Sequence, residues 1–238
     1  SLKVLTTFDK PNLLYSVIFV QIILSTYSVY LFYKICLSFF SDNISIINSI
    51  IFSIIPLNVI ICGQISSACL QIFFSLLFLK FLLLIINKGT KKNIFFLSLV
   101  SGFLVLLRGE FLLIFSFIIF FVFIKKKISF NNFVMSLIIV ALTISPYVIR
   151  NYIHFNQIFV VKSLGYNLWK GNNQLSKVGG YETLENIKFT ELKNKIDNLE
   201  KDKFYEIKRD DIFLSQALNN LKEEPIHYFY LFFKKLIS

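Results

Sequence analysis

The most telling part of the chain is residues 93–124, which read NIFFLSLVSGFLVLLRGEFLLIFSFIIFFVFI. Two apolar runs, 93–107 and 111–124, are separated only by a charged turn at 108–110. A membrane-spanning helix needs about 20 apolar residues, and a helix of about 14 residues is only about 21 Å long. Neither run crosses a bilayer comfortably alone. We therefore expect the turn to dip below the surface, where irregular backbone is tolerated only inside protein or against a water-filled cavity.

A tight surface hairpin is the alternative at 108–110. Arg108 would then extend its guanidinium to the lipid headgroups, as Arg does near the ends of membrane helices. Only the buried turn makes this segment a candidate site, and the sequence leaves both interpretations open.

Composition places the chain in a membrane. Of its 238 residues, 55% are hydrophobic and 29 are Phe, which excludes a disordered chain. The three cysteines lie inside apolar runs, so a disulfide scaffold is excluded as well. The net charge of +11 does not indicate nucleic acid, because residues 1–150 hold 12 Lys and Arg against 3 acidic residues, whereas residues 151–238 hold 13 against 11. The surplus lies between apolar segments, where it is the usual topology signal of a membrane protein.

The sequence predicts an all-α polytopic membrane protein with about six transmembrane helices and a small extracytoplasmic domain of mixed or helical structure. Pro56 should kink the second span, and the sixth should end near Pro146. We expect a transmembrane domain over 1–149, an extracytoplasmic domain over 150–225, and an interfacial helix or the start of a further span over 226–238. The six predicted spans are 12–37, 44–62, 65–86, 93–107, 111–124 and 132–149.

Lysines set the predicted orientation. They concentrate in the connections on one side of the predicted spans, whereas the internal connections on the other side hold only Arg108. By the positive-inside rule the lysine-rich side is cytoplasmic, which places 108–110 and everything from Arg150 onward outside the cytoplasm. We therefore expect a multi-pass protein of the cytoplasmic (inner) membrane. The lysines are Lys34, Lys88, Lys91, Lys92, Lys125, Lys126 and Lys127.

Charged residues and glycines become frequent after residue 150, as in a soluble domain. The stretch 184–203 is polar enough to predict a solvated helix or loop. An amphipathic helix is predicted over 203–223, ahead of Pro225. Its apolar stripe is expected at Phe204, Ile207, Leu214, Leu218 and Leu221.

Signatures of soluble enzymes are missing from the sequence. Neither a glycine-rich phosphate loop nor the cysteine and histidine spacing of a zinc site occurs. His154 and His227 lie far apart, and Asp210 with Asp211 falls among basic residues on a helix. We interpret all four as surface or interfacial groups. No cofactor is identified, and a divalent metal stays an open alternative.

Residues 145–173 carry the most specific pattern. The run PYVIRNY at 146–152 ends the last predicted span, and the run NLWKGNN follows at 167–173. This pattern resembles the GT-C glycosyltransferases that use polyprenyl-phosphate sugars, a group that includes the dolichyl-phosphate-mannose protein mannosyltransferases and bacterial lipid-sugar transferases. Many bacterial members have a Pro-aromatic-x-x-Arg-Asn-Tyr run at the end of a span and an Asn-Leu-Trp-x-Gly-Asn-Asn run after it.

The resemblance extends over nearly the whole chain. Arg108 matches an Arg that opens a short helix in the family; Gly109 stands where the family usually has Pro, and Glu110 fits. The start of a span at 63–70 is similar too, with Ser-Ala in place of the family's Ser/Thr-Glu. Residues 215–235 resemble the family's helix-Pro-helix return to the membrane.

The resemblance implies inverting transfer of a sugar from a polyprenyl-phosphate donor to a glycan, lipid or protein acceptor at the outer membrane face. Membrane lipid is a further expected partner, and nucleic acid is not. The family's catalytic base is an Asp in the first extracytoplasmic loop. The chain begins at Ser1 without an initiator Met and stops within an element, so we expect a fragment whose base lies before Ser1. Asp9 matches no family motif, and no catalytic residue is assigned.

The remaining candidates are substrate-binding residues. A lipid-phosphate leaving group gains negative charge as the glycosidic bond breaks, so a preorganised Arg near the outer surface would stabilise the transition state. Arg108 and Arg150 are the candidates for that role, with anchoring to headgroups as the alternative. Further side chains could contact the sugar or orient an arginine, or could serve only as an interface anchor and turn residues. They are Glu110, Asn151, Trp169, Asn172 and Asn173.

Two other classes of protein stay open. A transporter or lipid flippase also has broken helices and buried charge, although we find no internal repeat of the Arg108 break. A non-catalytic membrane assembly protein would use its outer domain to bind a partner, and a catalytic Asp upstream would argue against it.

Overall fold

The computed structural model describes residues 10–64, 66–181 and 183–237, which are helices and connecting segments without a strand. The chain divides into two compact units, a first unit ending at Tyr147 and a second unit beginning at Val148. The first unit contains α1 (Lys10–Cys36), α2 (Asp42–Ile54), α3 (Pro56–Cys62), α4 (Ala68–Asn87), α5 (Lys91–Leu107), α6 (Phe111–Ile124) and most of α7 (Phe130–Phe155). The second unit contains the end of α7 and then α8 (Leu164–Gly171), α9 (Thr190–Asp197), α10 (Tyr205–Glu223) and α11 (Pro225–Ile237).

Within the described residues, three helices are long and apolar enough to cross a membrane: α1 from Leu14 to Cys36, α4 and α7. A fourth would be α2 together with α3, which are bent by 55° at their junction, and α6 is a shorter apolar helix. The predicted all-helical class with membrane-length helices is confirmed. Six spans stay a prediction. α5 and α6 are shorter than a membrane-spanning helix, and the lengths of the helices do not show where a membrane would lie.

The kink predicted at Pro56 is confirmed as a complete break. α2 ends at Ile54, the backbone of Ile55 is extended at φ −57° and ψ 120°, and Pro56 is the first residue of α3. Pro56 has no N–H to donate to the carbonyl of Phe52, four residues earlier. The side chain of Asn58 donates to that carbonyl instead, at 2.8 Å, so the break leaves this carbonyl satisfied.

The predicted sixth span, 132–149, lies within α7, and this helix continues through Pro146 to Phe155. A proline inside a helix removes the hydrogen bond to the carbonyl four residues earlier, here that of Leu142. In the structure the hydroxyl of Ser145 donates to the Leu142 carbonyl at 3.0 Å. That bond satisfies the acceptor that the proline abandons, which helps the helix to continue.

Close packing and an apolar exterior characterise the first unit. A Cβ placed on Gly102 of α5 would lie 2.5 Å from the Cβ of Thr143 on α7, so only glycine allows these helices to approach as they do. On the outside, Leu113 and Phe117 of α6 are 76% and 73% exposed. Large apolar side chains exposed in this number are expected to contact lipid.

The second unit has its own hydrophobic core, centred on Trp169 of α8. Tyr166 and Ile212 pack around it as partly buried residues. The core includes Phe189, from a short 3-10 helix at Ile187–Phe189, as well as side chains from α9. The prediction that 184–203 is only a solvated helix or loop is therefore wrong. The buried core residues are Trp169, Phe189, Leu192, Ile196, Phe213 and Ala217.

α10 confirms the helix predicted over 203–223, but its buried stripe differs from the predicted one. Leu218, expected inside, is 43% exposed. The buried face is rotated because two polar residues belong to it: Asp210 and Asn220 are bonded to backbone groups around α8. The buried positions of α10 are Ile207, Asp210, Phe213, Ala217 and Asn220.

Candidate functional site

The turn between α5 and α6 presents two charged side chains. α5 ends with Arg108 in an extended conformation at φ −147° and ψ 115°, and its N–H still donates to the carbonyl of Leu104. The carbonyl of Arg108 then accepts from the N–H of Phe111 at 3.1 Å, which closes the turn. The side chains of Arg108 and Glu110 are exposed and form no hydrogen bond or ion pair with each other or with another described residue. The sequence-based suggestion that Glu110 orients Arg108 is not seen in this conformation.

Arg150 and Asn151 lie near the end of α7 in the second unit. Asn151 is 1% exposed, and its amide Nδ2 donates to the carbonyl of Phe159 at 2.9 Å. Its Oδ1 accepts from Nη1 of Arg150 at 3.2 Å, while Arg150 itself is exposed. Asn151 thus fixes the path of the chain after the helix. Its exposed neighbour carries the charge.

Trp169 is enclosed by aromatic rings. Its side chain is 0% exposed, and its ring centroid lies 4.9 Å from that of Phe213, 5.2 Å from that of Phe189 and 6.3 Å from that of Tyr166. Such tilted and edge-on pairs are favourable packing geometries. In this conformation the ring is a core side chain, and stacking on a sugar would require it to be uncovered.

Asn173 organises the segment 173–181. Its Nδ2 donates to the carbonyls of Trp169 and Tyr181 at 3.1 and 2.7 Å, and its Oδ1 accepts from the N–H of Leu175 at 2.9 Å. Its own N–H donates to the hydroxyl of Ser176, at 3.0 Å. The side chain is 0% exposed, and both of its polar atoms bond to the local backbone.

Asn172 is half-buried at the end of α8. Its Nδ2 donates to the carbonyl of Leu168 at 2.9 Å, and its own carbonyl accepts from Nδ2 of Asn220 on α10 at 3.0 Å. The sequence left open a role as a turn residue, for which asparagine often adopts the left-handed conformation, but Asn172 has φ −138°. The described non-glycine residues with positive φ are Lys126 and Asn156.

Asp210 has a structural role that was not predicted from the sequence. It was expected on a solvated face, yet it is 5% exposed and accepts from the N–H groups of Gly165 and Tyr166 at 3.1 and 2.9 Å. A carboxylate at this position satisfies the unpaired donors at the start of α8 and is favoured by the helix dipole. Asp211 is exposed as expected and forms an ion pair with Lys162 at 2.7 Å. Gly165, whose missing side chain lets α8 approach the backbone of Asp210, was the one sequence feature that pointed to this contact.

One carboxylate outside the apolar helices has a shifted pKa. The ammonium of Lys208 donates to Asp202 at 3.0 Å and lowers the pKa of that carboxyl below its usual value. The resulting stabilisation is fully present above the ordinary Asp pKa of about 3.9 and is lost as the pH falls through the lowered value. Because both side chains are exposed, solvent and salt screen this pair. It is a surface interaction at the start of α10.

One groove lies in the first unit, between α1, α2 and α3. Its volume is about 990 Å³ and its lining is mainly apolar. Ser49, Ser53 and Asn58 add polar groups on both sides of the break between α2 and α3. Its apolar lining suits an apolar chain. The groove depends on the 55° bend between α2 and α3, an angle that the residue pattern does not specify.

The structure brings together only part of the predicted set. Trp169, Asn172 and Asn173 share one local framework at the end of α8, whereas Arg108 and Glu110 belong to the first unit. His154 and His227 are both exposed, as interpreted. Among the described residues no group of three metal-ligating side chains occurs. Asp9 lies outside the described residues.

Comparison of the chain with protein-family models, with curated proteins and with solved structures finds no match in any of the three. The structure itself defines a helical protein with helices of membrane-spanning length and a second helical unit.

Proposed function

We propose that this protein is a membrane glycosyltransferase that moves a sugar from a polyprenyl-phosphate carrier to an extracytoplasmic glycan, lipid or protein, with inversion at the anomeric carbon. The observation that carries the proposal is the paired run PYVIRNY and NLWKGNN at 146–152 and 167–173. These runs resemble the GT-C glycosyltransferases in composition and spacing.

The geometry supports the proposal through a framework at 151–173. Asn151 and Asn173 bond to the backbone and Trp169 fills the core, and all three are at most 1% exposed, so none of them faces a ligand in this conformation. Residues that shape a loop in this way require a particular residue type at each position. The specific residues of the two runs are therefore compatible with the proposal even where they do not contact the substrate.

Arg108 is the substrate-binding residue that the geometry favours. Its guanidinium is exposed on a turn between two apolar helices and has no described partner, so it is available to an anion. A leaving phosphate at such a position would interact more strongly with Arg108 than in bulk water, because low-dielectric surroundings strengthen the attraction. Glu110, exposed on the same turn, is available to a sugar hydroxyl.

The proposal includes six membrane spans in the cytoplasmic membrane. In this arrangement α5 and α6 enter and leave from the lysine-rich side and meet at a turn below the opposite surface, and α2 with α3 forms one broken span. Residues 108–110 and 150–225 then lie outside the cytoplasm.

The test is Arg108→Gln in the natural protein, with transfer of radiolabelled sugar from its polyprenyl phosphate measured in membrane vesicles. Loss of one preorganised donor to a developing anion should reduce the turnover number roughly 100-fold or more. Lys201→Gln is the matched control, since Lys201 is an exposed cation of the second unit and its loss should leave turnover unchanged. Wild-type turnover in Arg108→Gln would contradict the assignment of Arg108, and absence of transfer in the wild type would contradict the proposed reaction.

A transporter or lipid flippase is the second candidate, because one observation specifically favours it. Broken helices in transporters line their substrate sites, and the break between α2 and α3 borders the 990 Å³ groove. A flippase would move a labelled polyprenyl-phosphate sugar across proteoliposome leaflets without cleaving it. Movement without cleavage would favour the flippase over the transferase.

A further inference from the structure

A basic groove lies entirely within the second unit, between the loop 176–179 and α11. Its volume is about 630 Å³. Lys177, His227 and Lys234 line it together with Ser176, Tyr230 and Leu231. None of the lining residues is acidic, so the groove presents positive charge and hydrogen-bond donors and no carboxylate.

The basic side chains of the groove are not committed to the fold. Lys177, His227 and Lys234 are exposed, and none of them forms a hydrogen bond or ion pair with a described residue. Two uncompensated ammonium groups at one groove repel each other, which an anion between them would relieve. The charge pattern therefore points to an anionic ligand.

Both walls of the groove are fixed in place. On one side Ser176 donates its hydroxyl to the carbonyl of Lys170 at 2.9 Å, and Gly180 allows the loop to turn at φ +75°. On the other side α11 is docked through Tyr228 and Leu231, which are 3% and 6% exposed. Nζ of Lys235 donates to the carbonyl of Gly171 at 2.6 Å. The site is thus preorganised apart from its long lysine side chains.

An apolar stripe of α11 adjoins the groove. Ile226, Tyr230, Phe233 and Ile237 recur at helical spacing, and their exposed fractions are 84%, 65%, 45% and 87%. A ligand that carried only a phosphate would leave this stripe uncovered. A lipid would place its headgroup between the lysines and its hydrocarbon along the stripe, as interfacial helices do.

We propose that the groove between 176–179 and α11 binds the phosphate headgroup of a membrane lipid, with Lys177 and Lys234 contacting the phosphate. His227 and Tyr230 supply further hydrogen-bonding groups at the rim. Asn173 acts as a positioning residue, because it holds the loop that carries Lys177. This inference does not rest on the proposed sugar transfer.

The experiment measures binding of dioleoyl phosphatidylglycerol to the purified full chain in detergent, by native mass spectrometry. A lysine near an anionic lipid surface contributes about 1 kcal/mol, so Lys177→Gln with Lys234→Gln should weaken binding roughly 30-fold at 1.4 kcal/mol per factor of ten. Lys193→Gln with Lys195→Gln is the matched control, because both are exposed lysines of α9 and the charge change is the same. Equal loss in the two double variants, or no loss in the first, would overturn the proposal.

Two further arms fix the site and the ligand. Gly179→Glu adds an acid at the groove, at a position where a Cβ meets nothing within 4 Å, so it should weaken lipid binding without disturbing the backbone. Unchanged binding in this variant would contradict the location. Inorganic phosphate should displace the lipid only at far higher concentration than glycerophosphate lipids do. Displacement at equal concentration would show a site for free phosphate and overturn the lipid assignment.

Discussion

Asn173 illustrates how a single side chain can shape a functional surface without lying on it. Its amide oxygen and both of its amide hydrogens are bonded to backbone groups between Trp169 and Tyr181. The sequence suggested Asn173 as a ligand-binding residue because asparagine serves both roles. Its partners are main-chain atoms, which every residue has, so the sequence does not show which of them Asn173 will contact.

Asn173→Ala should destabilise the loop 173–181 by about 1–3 kcal/mol, because two buried carbonyls would lose their donor. Hydrogen-exchange mass spectrometry on the intact chain measures this as faster exchange in peptides covering residues 174–181. The control is Asn194→Ala on α9, an exposed position with no described side-chain hydrogen bond. Unaltered protection of the loop in Asn173→Ala would show that the three bonds contribute little.

Among the elements, the pair of α8 and α10 packs most closely in the second unit. A Cβ on Gly165 would lie 2.0 Å from the carbonyl oxygen of Asp210 and 2.8 Å from the amide nitrogen of Leu214. Both atoms are backbone and cannot move aside. The two helices therefore depend on the absence of a side chain at Gly165.

Gly165→Ala should therefore destabilise the second unit by about 1–3 kcal/mol through overpacking. The readout is amide exchange in α8 and α10, where protection should fall in both helices together. Gly179→Ala is the matched control, since a Cβ there meets nothing within 4 Å. If the two variants exchange alike, the close approach of α8 and α10 is not required.

An element could be predicted where the residues that determine it are neighbours in the sequence. Apolar runs bounded by charges predicted α5 and α6 to within two residues, since the runs 93–107 and 111–124 are continuous. The continuation of α7 beyond residue 149 to Phe155 was not predicted, because Arg150 and Asn151 interrupt the apolar run. The burial of Phe189 and Leu192 was not predicted either. Each is an isolated apolar residue in a polar stretch, and each packs against core residues that are distant in the sequence.

For the whole molecule, the decisive property is the asymmetry of charge between the loops. Lys125–Lys127 and 108–110 are exposed on opposite ends of α6, as the two ends of one helix must be. The positive-inside rule turns this asymmetry into an orientation. In the proposed topology the exposed lysines lie in the cytoplasm and the second unit lies outside it.

A cysteine placed at Gln174 should react with a membrane-impermeant thiol reagent in intact cells, and one placed at Lys125 should react only after lysis. Both positions are exposed, so burial does not confuse the comparison. The native cysteines should give little background labelling, since Cys36 and Cys69 are buried and Cys62 is half-buried. The unsubstituted chain measures that background. Labelling with the opposite pattern would invert the topology.

The central position of Trp169 also gives the protein an internal optical probe. It is the chain's one tryptophan, and it is 0% exposed within the core of the second unit. The first unit contributes no indole signal, so the fluorescence of this chain excited at long wavelength reports the second unit alone. Denaturation of that unit can be followed as a red shift of the emission while the apolar helices stay in detergent.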